Sequence, residues 1–123
     1  MPVVLNFAFV ALASKQLDRQ INFYSKLLQI EPNLKTDSYA EFHLPGLRIG
    51  LFVPKASHAN EFRSDTSGPM SLCLEVDDLE GAIAHLKTLG HAPPSEIMQT
   101  SHGREIYAYD PDGNRLILHQ SPS

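Results

Sequence analysis

The chain has 123 residues, of which 42% are hydrophobic and 20% are charged, and its formal net charge is −4. This length supports a single domain over residues 1–123 that buries roughly 65% of the surface exposed by the unfolded chain. The composition excludes collagen-like, disordered and coiled-coil proteins. Because the acidic balance comes without clusters of Lys or Arg, neither nucleic acid nor an anionic membrane is expected as the main partner.

Neither the N-terminus nor the cysteine content indicates export. The segment Met1 to Ala13 is apolar like a signal peptide, but no Lys or Arg precedes it and it is too short to span a bilayer. Its Val, Phe and Leu content favours a first strand over residues 3–12. The single cysteine, Cys73, cannot form an internal disulfide, and we expect it to be a small packed side chain. We therefore expect a cytoplasmic protein without a membrane segment.

The first half of the chain predicts one helix between strands. An apolar stripe at helical spacing predicts a helix over residues 15–28, with Ser14 as its N-cap. The stripe consists of Leu17, Ile21, Tyr24 and Leu28. Strands are expected at 39–44 and 47–53, separated by the turn signal Pro45-Gly46. Residues 54–69 are polar and predict a long connecting loop.

The second half repeats this order. Strands are expected at 70–76, 96–100, 104–109 and 115–120, and a helix runs from Leu79 to Gly90. The segment Asp110–Asn114 predicts the turn before the last strand, since its Pro, Gly and Asn suit the backbone of a tight turn. A shift of 62 residues places Leu17 on Leu79 and Ile21 on Ile83.

The repeat predicts an α+β fold of two βαβββ modules in tandem. Together they are expected to form a curved, mixed and mostly antiparallel sheet with a central cup. The first module covers about 1–54, a linker about 55–68 and the second module about 69–123. Each strand alternates between an aliphatic face and a face of charged, aromatic and small residues. The mixed face indicates a ligand-binding surface, although solvent or a partner subunit would also suit it.

Short motifs lie on the first helix, at the entry to the second helix and before the last strand. They are Leu17-Asp18, Phe23-Tyr24, Leu27-Leu28, Glu75–Leu79 and, most specific of all, Asp110–Asn114. This pattern resembles the vicinal oxygen chelate superfamily, which includes glyoxalase I, extradiol dioxygenases and the fosfomycin and bleomycin resistance proteins. The resemblance covers nearly the whole chain and implies the tandem fold described above.

Enzymes of that superfamily hold a divalent metal through a His or Glu from each of four strands. The resemblance places these positions at Phe9, at or near Gly50, at Ser71 and at Ile117, none of which is a metal ligand. We therefore expect no metal and no other cofactor. A displaced metal site is the alternative, and its candidate ligands are Glu41, His43, Glu75, Glu105 and His119, of which His119 is the best placed.

The predicted cup is aromatic and polar, which suits a flat or amphipathic small molecule. The candidate ligand-binding residues are Phe9, Arg48, Phe52, Ser71, Tyr107, Tyr109 and His119, with Phe7 and Tyr39 beside them. The same residues also suit ordinary core filling. The remaining histidines are expected to be solvated surface residues, namely His58, His85, His91 and His102. No catalytic residue can be named.

The favoured interpretation is a metal-independent small-molecule binder, similar to bleomycin resistance proteins that sequester a drug without transforming it. Proteins that resemble this chain usually dimerise, so a homodimer is expected. Two alternatives stay open. One is a lyase or dioxygenase of the same superfamily with a displaced metal site, and the other is a degenerate copy that serves as an interaction module.

Overall fold

The computed structural model describes residues 3–63 and 68–122. The chain divides into two compact units, Met1–Arg63 and Ser64–Ser123. Each unit carries one α-helix and one four-stranded sheet. Within the described residues, no helix has the length and apolar character needed to cross a membrane.

The first unit contains strands β1 to β4 and helix α1. Their bounds are β1 Val10–Ala13, α1 Leu17–Leu28, β2 Leu34–Lys35, β3 Tyr39–Leu44 and β4 Leu47–Phe52. The strand order in the sheet is β1-β4-β3-β2. β1 runs parallel to β4, whereas β3 is antiparallel to both β4 and β2. A 3-10 helix, Ala56–Phe62, follows β4 where the sequence predicts an irregular loop.

The second unit repeats this arrangement with helix α2 and strands β5 to β8. Their bounds are β5 Leu72–Glu75, α2 Leu79–Thr88, β6 Met98–Thr100, β7 Gly103–Tyr109 and β8 Arg115–Gln120. The order β5-β8-β7-β6 contains one parallel pair, β5 with β8, and two antiparallel pairs. The α+β class, the tandem βαβββ modules and the mixed, mostly antiparallel pairing are thereby confirmed.

Alternation along the strands separates an aliphatic face from a mixed face in each unit. On β8, Leu116 and Leu118 are buried, whereas Arg115, Ile117 and His119 on the opposite face are only partly buried. Because each helix turns its apolar stripe to the sheet, the buried side chains form two small cores. Their members include Leu17, Ile21, Tyr24, Ile49 and Leu51 in the first unit, and Leu79 and Leu86 in the second. Each fully buried leucine contributes roughly 1.5–3 kcal/mol to folding.

The two helices begin differently. The N-cap of α1 is Gln16, whose side chain caps nothing, so the prediction of Ser14 as the cap is wrong. Ser14 instead accepts a hydrogen bond from the Gln16 N–H at 3.1 Å and donates its own N–H to the Phe52 carbonyl at 2.8 Å. Helix α2 is capped by Asp78, whose carboxylate accepts the Gly81 N–H at 3.0 Å.

The N-terminal strand is shorter than predicted. Only Val10–Ala13 is strand, and every residue from 3 to 9 is exposed. The register aligns Val10 with Ile49, and β4 begins at Leu47. The chain before Ala8 therefore runs past the end of its neighbouring strand, and it pairs with no strand among the described residues.

The most specific sequence motif forms the turn that was predicted. Asp110 is only 4% exposed, and its Oδ1 accepts the backbone N–H groups of Asp112 at 3.0 Å and Asn114 at 2.9 Å. Its Oδ2 accepts the Asn114 side-chain amide at 2.8 Å. Gly113 adopts a φ of 85°, which glycine tolerates without strain. The carboxylate thus organises the connection between β7 and β8.

A charged pair ties α2 to the sheet of the second unit. The Arg104 guanidinium donates to both Glu80 carboxylate oxygens, at 2.6 and 2.8 Å. It also donates to Gln120 Oε1 at 3.2 Å, and the same oxygen accepts the Leu79 N–H at 2.8 Å. The guanidinium lowers the pKa of Glu80 to about 2. The first turn of α2 is therefore fixed to β7 and β8.

Candidate functional site

The mixed face of the first unit carries a cation beside two aromatic rings. The Arg48 guanidinium carbon lies 4.5 Å from the centroid of the Phe7 ring. The Phe7 and Phe9 rings are 5.8 Å apart between centroids and tilted by 34°. Both rings are open to solvent, with exposed fractions of 54% and 46%. Such a group can stack a flat molecule and attract its negative charge.

A hydrogen-bonded chain of side chains follows β3 on the same face. The Tyr39 hydroxyl donates to Glu41 Oε2 at 2.7 Å, and His43 Nε2 lies 2.6 Å from Glu41 Oε1. The hydrogen bond from Tyr39, and after it the one with His43, holds the pKa of Glu41 below its usual range. Burial and the neighbouring Glu41 carboxylate raise the pKa of Tyr39 to about 12. At neutral pH this group therefore pairs an ionised carboxylate with a neutral phenol.

Tyr39 also explains why residue 50 is a glycine. A Cβ atom placed on Gly50 would lie 2.8 Å from the Tyr39 hydroxyl and 3.1 Å from Cε1 of its ring. Real Cβ contacts are almost never that short, so a side chain at this position would displace the phenol. Sequence reasoning placed Tyr39 in the site but gave no reason to connect it with Gly50.

Phe52 lies at the other end of the same face and is partly covered. Its ring meets that of Phe62 edge to face, with centroids 5.2 Å apart and planes at 86°. Phe62 belongs to the 3-10 helix that the sequence did not predict. Across the strands, Phe52 is paired with Tyr39 and Ala13. The predicted ligand-binding side chain thus contacts protein on one edge.

The mixed face of the second unit places Ser71 beside an arginine. Arg115 Nη1 donates to Ser71 Oγ and to the Gly68 carbonyl, both at 3.0 Å. Tyr109 is the strand neighbour of Arg115, and Tyr107 is that of Ile117. Both tyrosines are partly exposed, as a binding role requires.

His119 is the centre of a polar cluster on β8. Its Nδ1 lies 2.6 Å from Glu75 Oε1, and the second Glu75 oxygen accepts the Ser121 N–H at 2.8 Å. The hydrogen bond from His119 is the main reason that the pKa of Glu75 is lowered. The His102 ring stacks on the His119 ring, with centroids 5.1 Å apart and planes at 23°. Glu105 stands opposite His119 in the β7–β8 ladder.

His102 was predicted to be an ordinary surface residue. Its side chain is indeed 71% exposed. The prediction missed its contact with His119, because the contact depends on the turn between β6 and β7 lying over the last strand. Ligand atoms of His102, Glu105 and His119 all lie within 4.8 Å of one another, the one group of this kind in the described part of the chain.

The predicted ligand-binding residues are divided between the two units. Phe9, Arg48 and Phe52 lie in the first unit; Ser71, Tyr107, Tyr109 and His119 lie in the second. Arg48 and Phe9 share Phe7 as a neighbour, and His119 joins Glu75. Cys73, which was expected to be packed, is exposed, and that prediction is wrong.

Comparison with known proteins identifies the family. The sequence model of the Glyoxalase/Bleomycin resistance protein/Dioxygenase superfamily matches residues 6–118. The chain belongs to this superfamily. No protein of curated function matches the chain.

Solved structures agree with this assignment. A protein from Agrobacterium tumefaciens, solved by solution NMR, is 25% identical with a TM-score of 0.77, over 94% of this chain and 96% of that one. A glyoxalase/bleomycin resistance protein from Catenulispora acidiphila is 19% identical with a TM-score of 0.69, covering 94% and 97%. A fosfomycin resistance protein from Listeria monocytogenes is 19% identical with a TM-score of 0.74, covering 98% and 94%. The latter two likenesses establish the fold.

The register shows that the four positions expected to correspond to metal ligands are equivalent between the two units. Ala11 pairs with Gly50 as Cys73 pairs with Ile117, so Gly50 and Ile117 are equivalent in the two units. Phe9 and Ser71 each precede these pairs by two residues.

The residues at these four positions do not fit a divalent metal. They offer a phenyl ring, a glycine covered by Tyr39, an alkyl group and the Ser71 hydroxyl, which already accepts a hydrogen bond from Arg115. Divalent ions of this class require imidazole, carboxylate or thiolate ligands. No step of a mechanism can therefore be assigned to a metal held there.

Proposed function

We propose that the protein binds a small, flat, anionic organic molecule, and that this binding needs no metal at the four superfamily positions. The observation that carries the proposal is the position of the Arg48 guanidinium, 4.5 Å from the centroid of the exposed Phe7 ring. A cation beside an exposed aromatic surface suits a planar ligand with a carboxylate or similar group.

The charge of Arg48 is available to a ligand. Within the described residues, Arg48 forms no ion pair; the nearby Glu41 carboxylate instead contacts Tyr39 and His43. Both Glu41 oxygens are engaged by these neighbours, and no hydrogen bond joins Glu41 to Arg48 in the described residues. The guanidinium N–H groups are therefore able to bind an anionic group of a ligand.

The exposed rings supply the apolar part of the interaction. Covering about 100 Å² of apolar surface on Phe7 and Phe9 contributes about 2–3 kcal/mol to binding. This is enough to orient a two-ring aromatic acid but not enough for tight binding, which needs further contacts. Phe52 in the first unit, and Ser71, Tyr107, Tyr109 and His119 in the second, stay predicted ligand-binding residues.

Names of structural neighbours support a small-molecule role. They include bleomycin and fosfomycin resistance proteins, whose names refer to small drugs. At this level of identity the likeness concerns the fold, so the chemistry of the ligand is argued from Arg48 and the two rings. Bleomycin and fosfomycin nevertheless belong in the first set of compounds to be measured.

The test is calorimetric titration of EDTA-dialysed protein with naphthalene-2-carboxylate. We expect saturable binding at one site, and Arg48→Gln is expected to weaken it by about tenfold. Arg19→Gln removes the same charge from the exposed face of α1 and is expected to change the affinity less than about twofold. Neutral 2-naphthamide should bind less tightly to the wild type and respond little to Arg48→Gln. Absence of binding, or equal affinity in the Arg48 variant, would refute the proposal.

We further propose that a second copy of the chain covers the N-terminal apolar segment. Val3, Val4 and Leu5 are 87%, 90% and 69% exposed, and β1 lies at the edge of its sheet. Exposed apolar patches and open edges of this kind are typical of interaction sites.

Sedimentation velocity tests this assembly. We expect a homodimer that Val4→Asp shifts towards monomer. Leu34→Asp places the same charge on an exposed residue of β2 and should leave the dimer intact. A monomeric wild type, or a dimer unaffected by Val4→Asp, would contradict this assignment.

A further inference from the structure

We propose that His102, Glu105 and His119 form a binding site for a divalent transition-metal ion, with Glu75 orienting His119. The site lies within the second unit and uses none of the four positions that carry the metal elsewhere in the superfamily. It does not depend on the ligand proposed above, because Arg48, Phe7 and Phe9 belong to the other unit.

The three ligand atoms are already near one another. They lie within 4.8 Å, and His102 Nε2 is 4.0 Å from Glu105 Oε1. Ligands around a tetrahedral Zn²⁺, bound at 2.0–2.1 Å, are about 3.3 Å apart. The ligand atoms must therefore move together by about 0.7 to 1.5 Å per pair. His102 is exposed and lies in a turn, so its side chain can make this adjustment without moving the sheet.

His119 is held in the orientation that a metal ligand requires. Its Nδ1 is 2.6 Å from the Glu75 carboxylate, which places the ring proton on Nδ1 and the lone pair on Nε2. Nε2 is buried and has no hydrogen-bond partner in the described residues. A buried polar atom left without a partner costs about 1–3 kcal/mol. A carboxylate bonded to the far nitrogen of a histidine is the usual outer-shell arrangement at zinc.

The turn that carries His102 lies directly against the His119 ring because residue 103 is a glycine. A Cβ atom on Gly103 would lie 2.9 Å from His119 Nε2 and 3.0 Å from Cε1, so a side chain there would displace the imidazole. The φ of Gly103 is 139°, which also favours glycine. The glycine thus keeps His102 and Nε2 of His119 close together.

The fold itself does not require this polar group. In the second unit, Glu75, His119 and Glu105 form one row across three paired strands. The matching row of the first unit, which has the same strand order and register, is Ala13, Phe52 and Tyr39. One module therefore fills the row with apolar and aromatic side chains, while the other gathers two carboxylates and an imidazole. The polar row therefore results from the residues of the second unit and is not required by the strand arrangement that both units share.

The donor set indicates the class of ion. Two imidazoles and one carboxylate suit Zn²⁺, Co²⁺, Ni²⁺ or Fe²⁺ better than Ca²⁺ or Mg²⁺, which prefer oxygen ligands. Three protein ligands leave at least one coordination position for water or for an oxygen atom of another molecule.

Titration of untagged, EDTA-stripped protein with Co²⁺ and Zn²⁺ tests the site. Co²⁺ is expected to give visible ligand-field bands of a four- or five-coordinate ion at one equivalent, and Zn²⁺ to displace it. Glu75→Gln is expected to weaken binding by about 10- to 100-fold. His102→Ala and His119→Gln each remove a ligand and should weaken binding by more than that. Circular dichroism verifies the fold, and His102→Ala alters only an exposed side chain.

His58→Ala is the matched control. His58 and Glu61 form an exposed His–Glu pair three residues apart, as His102 and Glu105 do, but no further ligand joins them in the described residues. Its affinity for Co²⁺ should equal that of the wild type. Failure of Co²⁺ and Zn²⁺ to bind, or binding that survives both His102→Ala and His119→Gln, overturns the proposal. The naphthalene-2-carboxylate titration is made without metal, so either proposal can fail alone.

Discussion

The Tyr39 hydroxyl occupies the space that a side chain at Gly50 would need. A Cβ atom at Gly50 would be 2.8 Å from this oxygen, which is itself bonded to Glu41. A side chain that could hold a metal at residue 50 would have to displace this hydrogen-bonded phenol. The glycine and the tyrosine are therefore two parts of one packing arrangement.

Gly50→Ala is therefore expected to lower the free energy of unfolding by about 1–3 kcal/mol, because the added methyl group crowds the tyrosine. Tyr39→Phe removes the nearest atom, so the double variant should lose less stability than the sum of the single changes. Urea denaturation of all four proteins measures the coupling, which we expect to exceed about 0.5 kcal/mol. Strict additivity would show that Tyr39 does not restrict residue 50.

The ion pair between Glu80 and Arg104 gives stability that depends on pH. The pKa of Glu80 is about 2 in the folded protein, below its usual value of 4.5. Its contribution is therefore complete above about pH 4.5 and is lost as the pH falls towards 2. Glu80→Gln should destabilise the protein at pH 7, and the difference from the wild type should shrink between pH 4.5 and 2. Glu96→Gln, at another exposed position, should show no such trend.

The turn before β8 depends on one carboxylate. Asp110 is buried and accepts hydrogen bonds from two backbone N–H groups and one side-chain amide. Asp110→Ala should lower the free energy of unfolding by about 2–4 kcal/mol, because these donors lose their acceptor. Asp37→Ala changes an exposed aspartate and should cost less than about 0.5 kcal/mol. Equal effects of the two substitutions in chemical denaturation would contradict this role.

The reactivity of the Cys73 thiol can be used to probe the mixed face of the second unit. It is exposed and pairs with Ile117, which in turn pairs with Tyr107. Native protein should react with Ellman's reagent for one thiol per chain without prior unfolding. An unreactive native thiol would contradict its exposure.

Elements in which apolar residues recur at a regular spacing were predictable from the sequence. The strand Tyr39–Leu44 and the strand Arg115–Gln120 have the predicted bounds, since alternation and flanking turns fix both ends. The first strand was predicted too long because its apolar composition gives no information about where its partner begins. β2, Leu34–Lys35, was missed because two residues are too few to show a period.

Strand alternation predicted which candidate residues share a face of each sheet, but it could not predict contacts made by turns. Alternation placed Arg48 and Phe52 on one mixed face, and Glu105 and His119 on the other. The stacking of His102 on His119 could not be predicted, because it depends on the path of a turn rather than on strand period. The adjacent Gly103 was the available signal, since a glycine next to a histidine allows close approach of another group.

The segment before Ala8 has exposed apolar side chains but belongs to no strand pair among the described residues. Removing residues 3–6 would delete Val3, Val4 and Leu5 without breaking any strand pair of the first unit. Such a truncated chain keeps Phe7 and Arg48 and has less exposed apolar surface. It would allow the chemistry of the mixed face to be measured on a chain that exposes less apolar surface to solvent or to other molecules.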